Sequence, residues 1–159
     1  VAWTRMVRLH AAEGRQGSVA NWHFYSRLKH DLWNHVPELV QALSDALVIP
    51  RASLDGSYAS LDLVTRAIDN VGAEVTRSTL YDGLVAVVGE VLRARVGGTW
   101  AVASPPGSES YPYVRAKDRR ILMPINVVYE QLGHYDGMDL RKAATNEVRQ
   151  SAQRGWSDP

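Results

Sequence analysis

With 159 residues and a formal net charge of +1, the chain falls in the size range of one domain, long enough to bury roughly 70% of the surface its unfolded form exposes. Its charge carries no overall bias toward nucleic acid or acidic surfaces. The absence of cysteine excludes disulfides, thiolate zinc fingers, iron–sulfur clusters and a thiol nucleophile, while the longest apolar run, Leu84 to Val88, is far short of the roughly 20 residues of a membrane-spanning helix.

In chain order, Val1 to Glu13 mixes a strand-like alternation with a helical face of Trp3, Val7 and His10 and is assigned to helix. Arg5, Arg8 and His10 interrupt it, so it lacks the pattern of a secretory signal. After the loop Gly14 to Ser18, Ser18 is placed to cap a helix bearing Trp22, Tyr25, Leu28, Leu32 and Val36 and reaching Asn34. Pro37 suits the first turn of a new helix with Leu39, Leu43 and Leu47 on its buried face, and Pro50 stops it. Ala52-Ser53-Leu54-Asp55 recurs as Ala59-Ser60-Leu61-Asp62, a duplication too short for a solenoid. Ser60 is the expected cap of a helix lined by Leu61, Val64 and Ile68 and ended by Gly72.

Ser78 opens the most apolar helix, with Leu80, Leu84, Val87, Val88 and Val91 on one broad face and Gly97-Gly98 as its stop, and this helix is expected to be central. The period then switches. Thr99 to Ala103, Tyr111 to Ala116 and Arg120 to Pro124 are short β-favouring runs separated by turn residues. Asn126 is the expected cap of a short helix through Leu132, and Asp139 of a last one through Gln153, with a loose tail from Gly155. The fold class is therefore α+β: a helix-rich single domain with a three-stranded antiparallel meander packed on a central helix. Its parts are N-terminal helices (1–50), a helical pair (52–96), the meander (99–124) and C-terminal helices (126–153).

His23, His30 and His35 are seven and five residues apart, unlike the three- or four-residue spacing of two ligands on one helical face, and no metal or cofactor is expected. Asp62 has Arg66 four residues on, the spacing of a helical salt bridge. Glu90 stands out because it follows Gly89 and lies seven residues after Gly83. Two glycines inside a helix cost roughly 1 kcal/mol each relative to alanine, which signals a close approach, most simply by another helix. Glu90 reads either as a polar group facing a cleft or as an edge-of-core ion pair with Arg93. Trp100, Tyr111, Tyr113 and Arg115 cluster in the meander, the last three on one face. That face serves either as a base-stacking surface or as ordinary sheet packing, and packing is favoured. No G-x-S-x-G, G-x-x-x-x-G-K, G-x-G-x-x-G or H-E-x-x-H signature occurs.

The run Ser60-Leu61-Asp62, Gly89-Glu90-Val91-Leu92, Gly97-Gly98-Thr99-Trp100 and Arg120-Ile121-Leu122-Met123-Pro124 resembles small uncharacterised bacterial α+β domains in which a helix with Gly-Glu is followed by Gly-Gly-x-Trp and a hairpin. The resemblance covers roughly residues 52 to 135 and implies a bacterial cytoplasmic domain, with no catalytic residues to carry over. Trp22 lies in an N-terminal region outside it. Three functions follow in order of preference. The first is a non-enzymatic protein-interaction module, accessory or immunity-like, using Glu90, Arg93, Trp100, Tyr111, Tyr113, Arg115 and Trp22. The second is a small-molecule binding or self-resistance protein, or an enzyme whose site forms only in three dimensions. Nucleic acid comes third, disfavoured by the balanced charge, and no membrane partner is expected.

Overall fold

The computed structural model describes residues 32–107, 110–133 and 137–154. The expected helices over residues 1–31, with Trp22, His23 and His30, and the tail from Gly155 lie outside the described residues, as do His134 and Asp136. The rest is an α+β fold of five helices and one antiparallel sheet: α1 (Leu32–Leu47), α2 (Tyr58–Val71), α3 (Tyr81–Val96), β1 (Thr99–Ala103), β2 (Tyr111–Arg115), β3 (Ile121–Leu122), α4 (Pro124–Leu132) and α5 (Leu140–Gln153). Among the described residues no helix is long and apolar enough to cross a membrane.

Helix α3 is the spine. Every residue from Tyr81 to Gly89 is buried, Asp82 included, as are Val91 and Leu92, and the stretch 83–89, apolar on all sides, belongs in the interior. It meets α1, α4, α5 and the sheet. Each fully buried aliphatic side chain such as Leu84, Val88 or Leu92 contributes roughly 1.5–3 kcal/mol relative to exposure. The crossing with α1 is close because of Gly83: a Cβ there would stand 2.9 Å from the Leu43 Cβ and 3.3 Å from the Leu39 carbonyl.

Four expected boundaries are displaced, each for a local reason. Helix α1 runs through Pro37 instead of starting there. Proline costs a helix interior one N–H bond, but Val36, Val40, Leu43 and Leu47 form an unbroken buried stripe across it. The N-cap of α2 is Ser57, not Ser60; the Ser57 amide is held by the Asp55 carboxylate at 3.0 Å, and Ser60 turns inward to donate its hydroxyl to the Ser57 carbonyl. Helix α3 begins at Tyr81, not Ser78, after a helical turn (Ala73–Val75) and a wide π-type turn (Thr76–Leu80). There the buried Thr76 hydroxyl donates to the Gly72 carbonyl at 2.7 Å, which also accepts the Thr76 amide at 3.2 Å, a back-bond of the kind that distorts helices locally. Helix α4 starts at Pro124 rather than behind Asn126, proline being suited to the first helical position. The Met123 amide before it is taken by the buried Glu147 carboxylate of α5 at 2.9 Å, which also receives Arg154 at 2.7 Å. Asp139 caps α5 as expected, accepting the Lys142 amide at 2.9 Å.

The sheet order is β1-β2-β3, all antiparallel. Trp100 pairs with Val114 and Val114 with Leu122, while Thr99, Ala101 and Ala103 pair with Arg115, Tyr113 and Tyr111. One face therefore carries Trp100, Val114 and Leu122, and the other carries Tyr111, Tyr113 and Arg115. The Ala116 amide bonds the Arg120 carbonyl at 2.9 Å, so alternate amides of β2 point toward β3. Pro112, which has no amide hydrogen, falls in that set, beyond the two residues that β3 pairs.

The end of α1 holds a strained residue. The Ile49 amide bonds the Ser44 carbonyl at 3.0 Å and the Val48 amide bonds the Asp45 carbonyl at 3.3 Å, the pair of bonds of a Schellman ending. Val48 occupies the left-handed position at φ 55°, where glycine is favoured and a β-branched residue is strained by roughly 1–2 kcal/mol. Its side chain is 89% exposed, so nothing is recovered by burial. Val48→Gly is expected to raise stability by about 1 kcal/mol, a melting-temperature gain of about 2–4 °C; an unchanged or lower value in a thermal scan refutes the strain.

Candidate functional site

The site begins at the Gly89-Glu90 pair near the C-terminal end of α3. Gly97, left-handed at φ 60°, ends the helix, and the chain turns at once into β1, which lays Trp100 back over α3. A methyl group at residue 89 would overlap the carbons of the Trp100 ring, so the glycine is the seat of the indole. The Trp100 Nε1–H then donates to Glu90 Oε1 at 2.7 Å. Arg93, one turn on, donates Nε–H to the same oxygen at 3.0 Å and Nη2–H to Oε2 at 2.9 Å. Side-chain exposures of 28% for Glu90 and 36% for Arg93 place the pair at the boundary between core and solvent. Burial pushes the Glu90 carboxyl up, but the hydrogen bonds from Arg93 and Trp100 and the charges of Arg93 and Arg51 outweigh it and hold the group below its ordinary value. Arg93 is correspondingly raised by its bond to Glu90.

Glu90 and Arg93, held from behind by Trp100, stand in one wall of an open cleft of about 230 Å³. Val40 of α1, the loop residues Arg51, Leu54, Asp55 and Gly56, and Val87, Glu90, Arg93 and Ala94 of α3 line it. Arg51 Nη1 donates to the Leu54 carbonyl at 3.0 Å, which shapes the loop, and Asp55 is held below its ordinary carboxylate value by its hydrogen bonds to Ser57. Two residues beyond Gly56, the Tyr58 ring has the guanidinium carbons of Arg95 and Arg141 at 5.6 and 5.8 Å from its centroid.

The other sequence-derived candidates lie elsewhere. Tyr111, Tyr113 and Arg115 occupy the sheet face opposite Trp100, so they do not join Glu90 and Arg93 in one site. Their rings stand 6.5 Å apart, and Arg115 donates to the Tyr113 hydroxyl at 2.8 Å with its guanidinium 5.7 Å from the ring centroid. At 8% and 4% exposure, neither tyrosine offers a face on which a base can stack. Burial, with the neighbouring Tyr113, pushes the Tyr111 hydroxyl up. Asp62 pairs with Arg141 at 2.8 Å across to α5, not with Arg66. His35 meets Glu38 at 3.3 Å; among the described residues no group of three or more histidine, aspartate or glutamate side chains is arranged to hold a metal. Sequence reasoning missed Arg51, Asp55 and the Tyr58 stack. Only the ASLD duplication drew attention to that loop, and it carried no chemistry.

Comparison with known protein families, with curated proteins and with solved structures gives no match to this chain.

Two outcomes test the geometry of the site. Alanine in place of an interior helix glycine normally stabilises by about 1 kcal/mol, but Gly89→Ala is expected to lower stability by about 1–3 kcal/mol through overpacking against Trp100, with the Trp100 indole N–H resonance displaced. Because the Glu90 carboxyl is lowered in the folded state, its ion pair stabilises at neutral pH and is lost as pH falls through the depressed value. The stability difference between the native chain and Glu90→Gln, measured by denaturant titration, should be largest above about pH 5 and close in stronger acid. A difference constant with pH contradicts the ionised pairing.

Proposed function

We propose that the chain is a non-enzymatic protein-interaction module that docks an acidic partner surface on the cationic end of α3. The observation that carries the reading is a run of arginines each held by a neighbour: Arg51 by the Leu54 carbonyl, Arg93 by Glu90, Arg95 by the Tyr58 ring, and Arg141 by Asp62 and the same ring. They are contiguous, since Arg51 and Arg93 line one cleft and a Cβ on Gly56 would stand in ordinary contact, 3.7 Å, with the Ala94 Cβ. Lys117 extends the patch beside Gly97. Arginine is enriched in the energetically dominant parts of interfaces, and side chains ordered before association lose less entropy on binding.

A second reading, small-ligand binding, is favoured by the cleft itself, whose walls carry both guanidinium and carboxylate groups. The first reading is tested by isolating the protein gently from its own host. One stoichiometric protein partner is expected, released as salt screens exposed charges, lost from Arg95→Glu and retained by Arg149→Glu, a reversal placed near the far end of α5. Equal retention by both variants, or nucleic acid in place of a protein, overturns it.

A further inference from the structure

We propose that the cleft between α1, the Arg51–Gly56 loop and α3 binds a small zwitterion of the α-amino-acid type, with an aliphatic side chain. The inference rests on the small-ligand reading of the cleft and names its ligand class.

The charges decide the class. Two guanidinium groups, Arg51 and Arg93, and two carboxylates, Glu90 and Asp55, share one small lining. A simple anion small enough to enter the cleft meets two carboxylates beside the arginines, and a simple cation meets the reverse, so each is offset by like charge; a partner surface differs in reaching Arg95 and Arg141 outside this lining as well. A ligand carrying both signs a few ångströms apart satisfies both halves. The arginine half has donors to spare: a guanidinium carries five N–H groups, of which Arg93 gives two to Glu90 and Arg51 gives one to the Leu54 carbonyl. These bonds also fix the guanidinium planes before a carboxylate arrives. On the acid side, Glu90 Oε2 accepts only one of the bonds described, and Asp55 Oδ1 accepts the Ser57 amide, so an ammonium group finds carboxylate oxygens with lone pairs remaining.

Size and polarity agree. At about 230 Å³ the space is below the roughly 300–1,000 Å³ of sites for drug-sized ligands, which suits a molecule the size of an amino acid. Val40, Leu54 and Val87 are buried and, with Ala94, leave only a narrow apolar floor in the cleft, on which a short aliphatic side chain can rest.

The test titrates the full chain with leucine, leucinamide and N-acetylleucine, by calorimetry and by following the Arg93 Nε–H and Trp100 Nε1–H resonances. Leucine should bind saturably and move the Arg93 signal, with leucinamide and N-acetylleucine each weaker by about tenfold or more, the loss expected when one charged hydrogen-bonded group is removed. Arg51→Met, which keeps the length of the stem and removes the charge, should weaken leucine by a similar factor, with the Arg93 Nε–H and Trp100 Nε1–H resonances of the unliganded chain unmoved. If N-acetylleucine binds as tightly as leucine, the zwitterion assignment is wrong while the cleft remains a carboxylate site. If no member of the series moves either resonance or releases heat, the small-ligand reading falls with it.

Discussion

The indole of Trp100 lies on α3 where residue 89 has no side chain, and its N–H ends on the carboxylate of the next residue. That contact ties the first strand to the last turns of the central helix and so sets the position of the sheet. It also holds Glu90, which in turn fixes Arg93 and hence one wall of the cleft. A packing contact and a charged network thus share one dipeptide. A half-buried carboxylate is tolerable there because three donors from two side chains surround it, compensating its desolvation.

The helix beneath is approached closely from two sides through its two glycines. At Gly83 the visitor is the α1 backbone and Leu43, and at Gly89 it is an aromatic ring. Both depend on contacts from distant parts of the chain, so the helix gives up local propensity for tertiary packing. The same trade appears at α1, where a continuous apolar stripe outweighs the missing amide of Pro37.

Local signals made much of this fold legible. The apolar faces of α2 and α3, the stops at Gly72 and Gly97, the cap at Asp139 and the first two strands lie where periodicity and turn residues put them, because each depends on neighbours in the sequence; the third strand shrinks from residues 120–124 to Ile121–Leu122 because Pro124 already opens α4. Boundaries failed where a distant or local side chain adds to the backbone bonding, as Glu147 does at the Met123 amide and Thr76 at the Gly72 carbonyl. The candidate site was half legible. The Gly-Glu pair announced a close approach and the Glu90–Arg93 spacing announced an ion pair, but the identity of the visitor at Gly89 depends on a turn into β1 that pattern alone does not dimension. Arg51 and Asp55 sit in a loop without period, and Asp62 finds Arg141 across 79 residues rather than Arg66 four residues away.

Pro112 has a consequence for how the molecule behaves in a crowd. Among the described residues, the outer side of β2 beyond Leu122 has no strand paired to it, but Tyr111, Pro112 and Tyr113 are buried there and α4 packs against β2; left uncovered, such an edge recruits strands from other chains and seeds aggregates. With proline at its centre, the amide that would point outward there does not exist. Covering that step therefore leaves no buried N–H without a partner, and the flank is closed by packing without a charged residue on the strand.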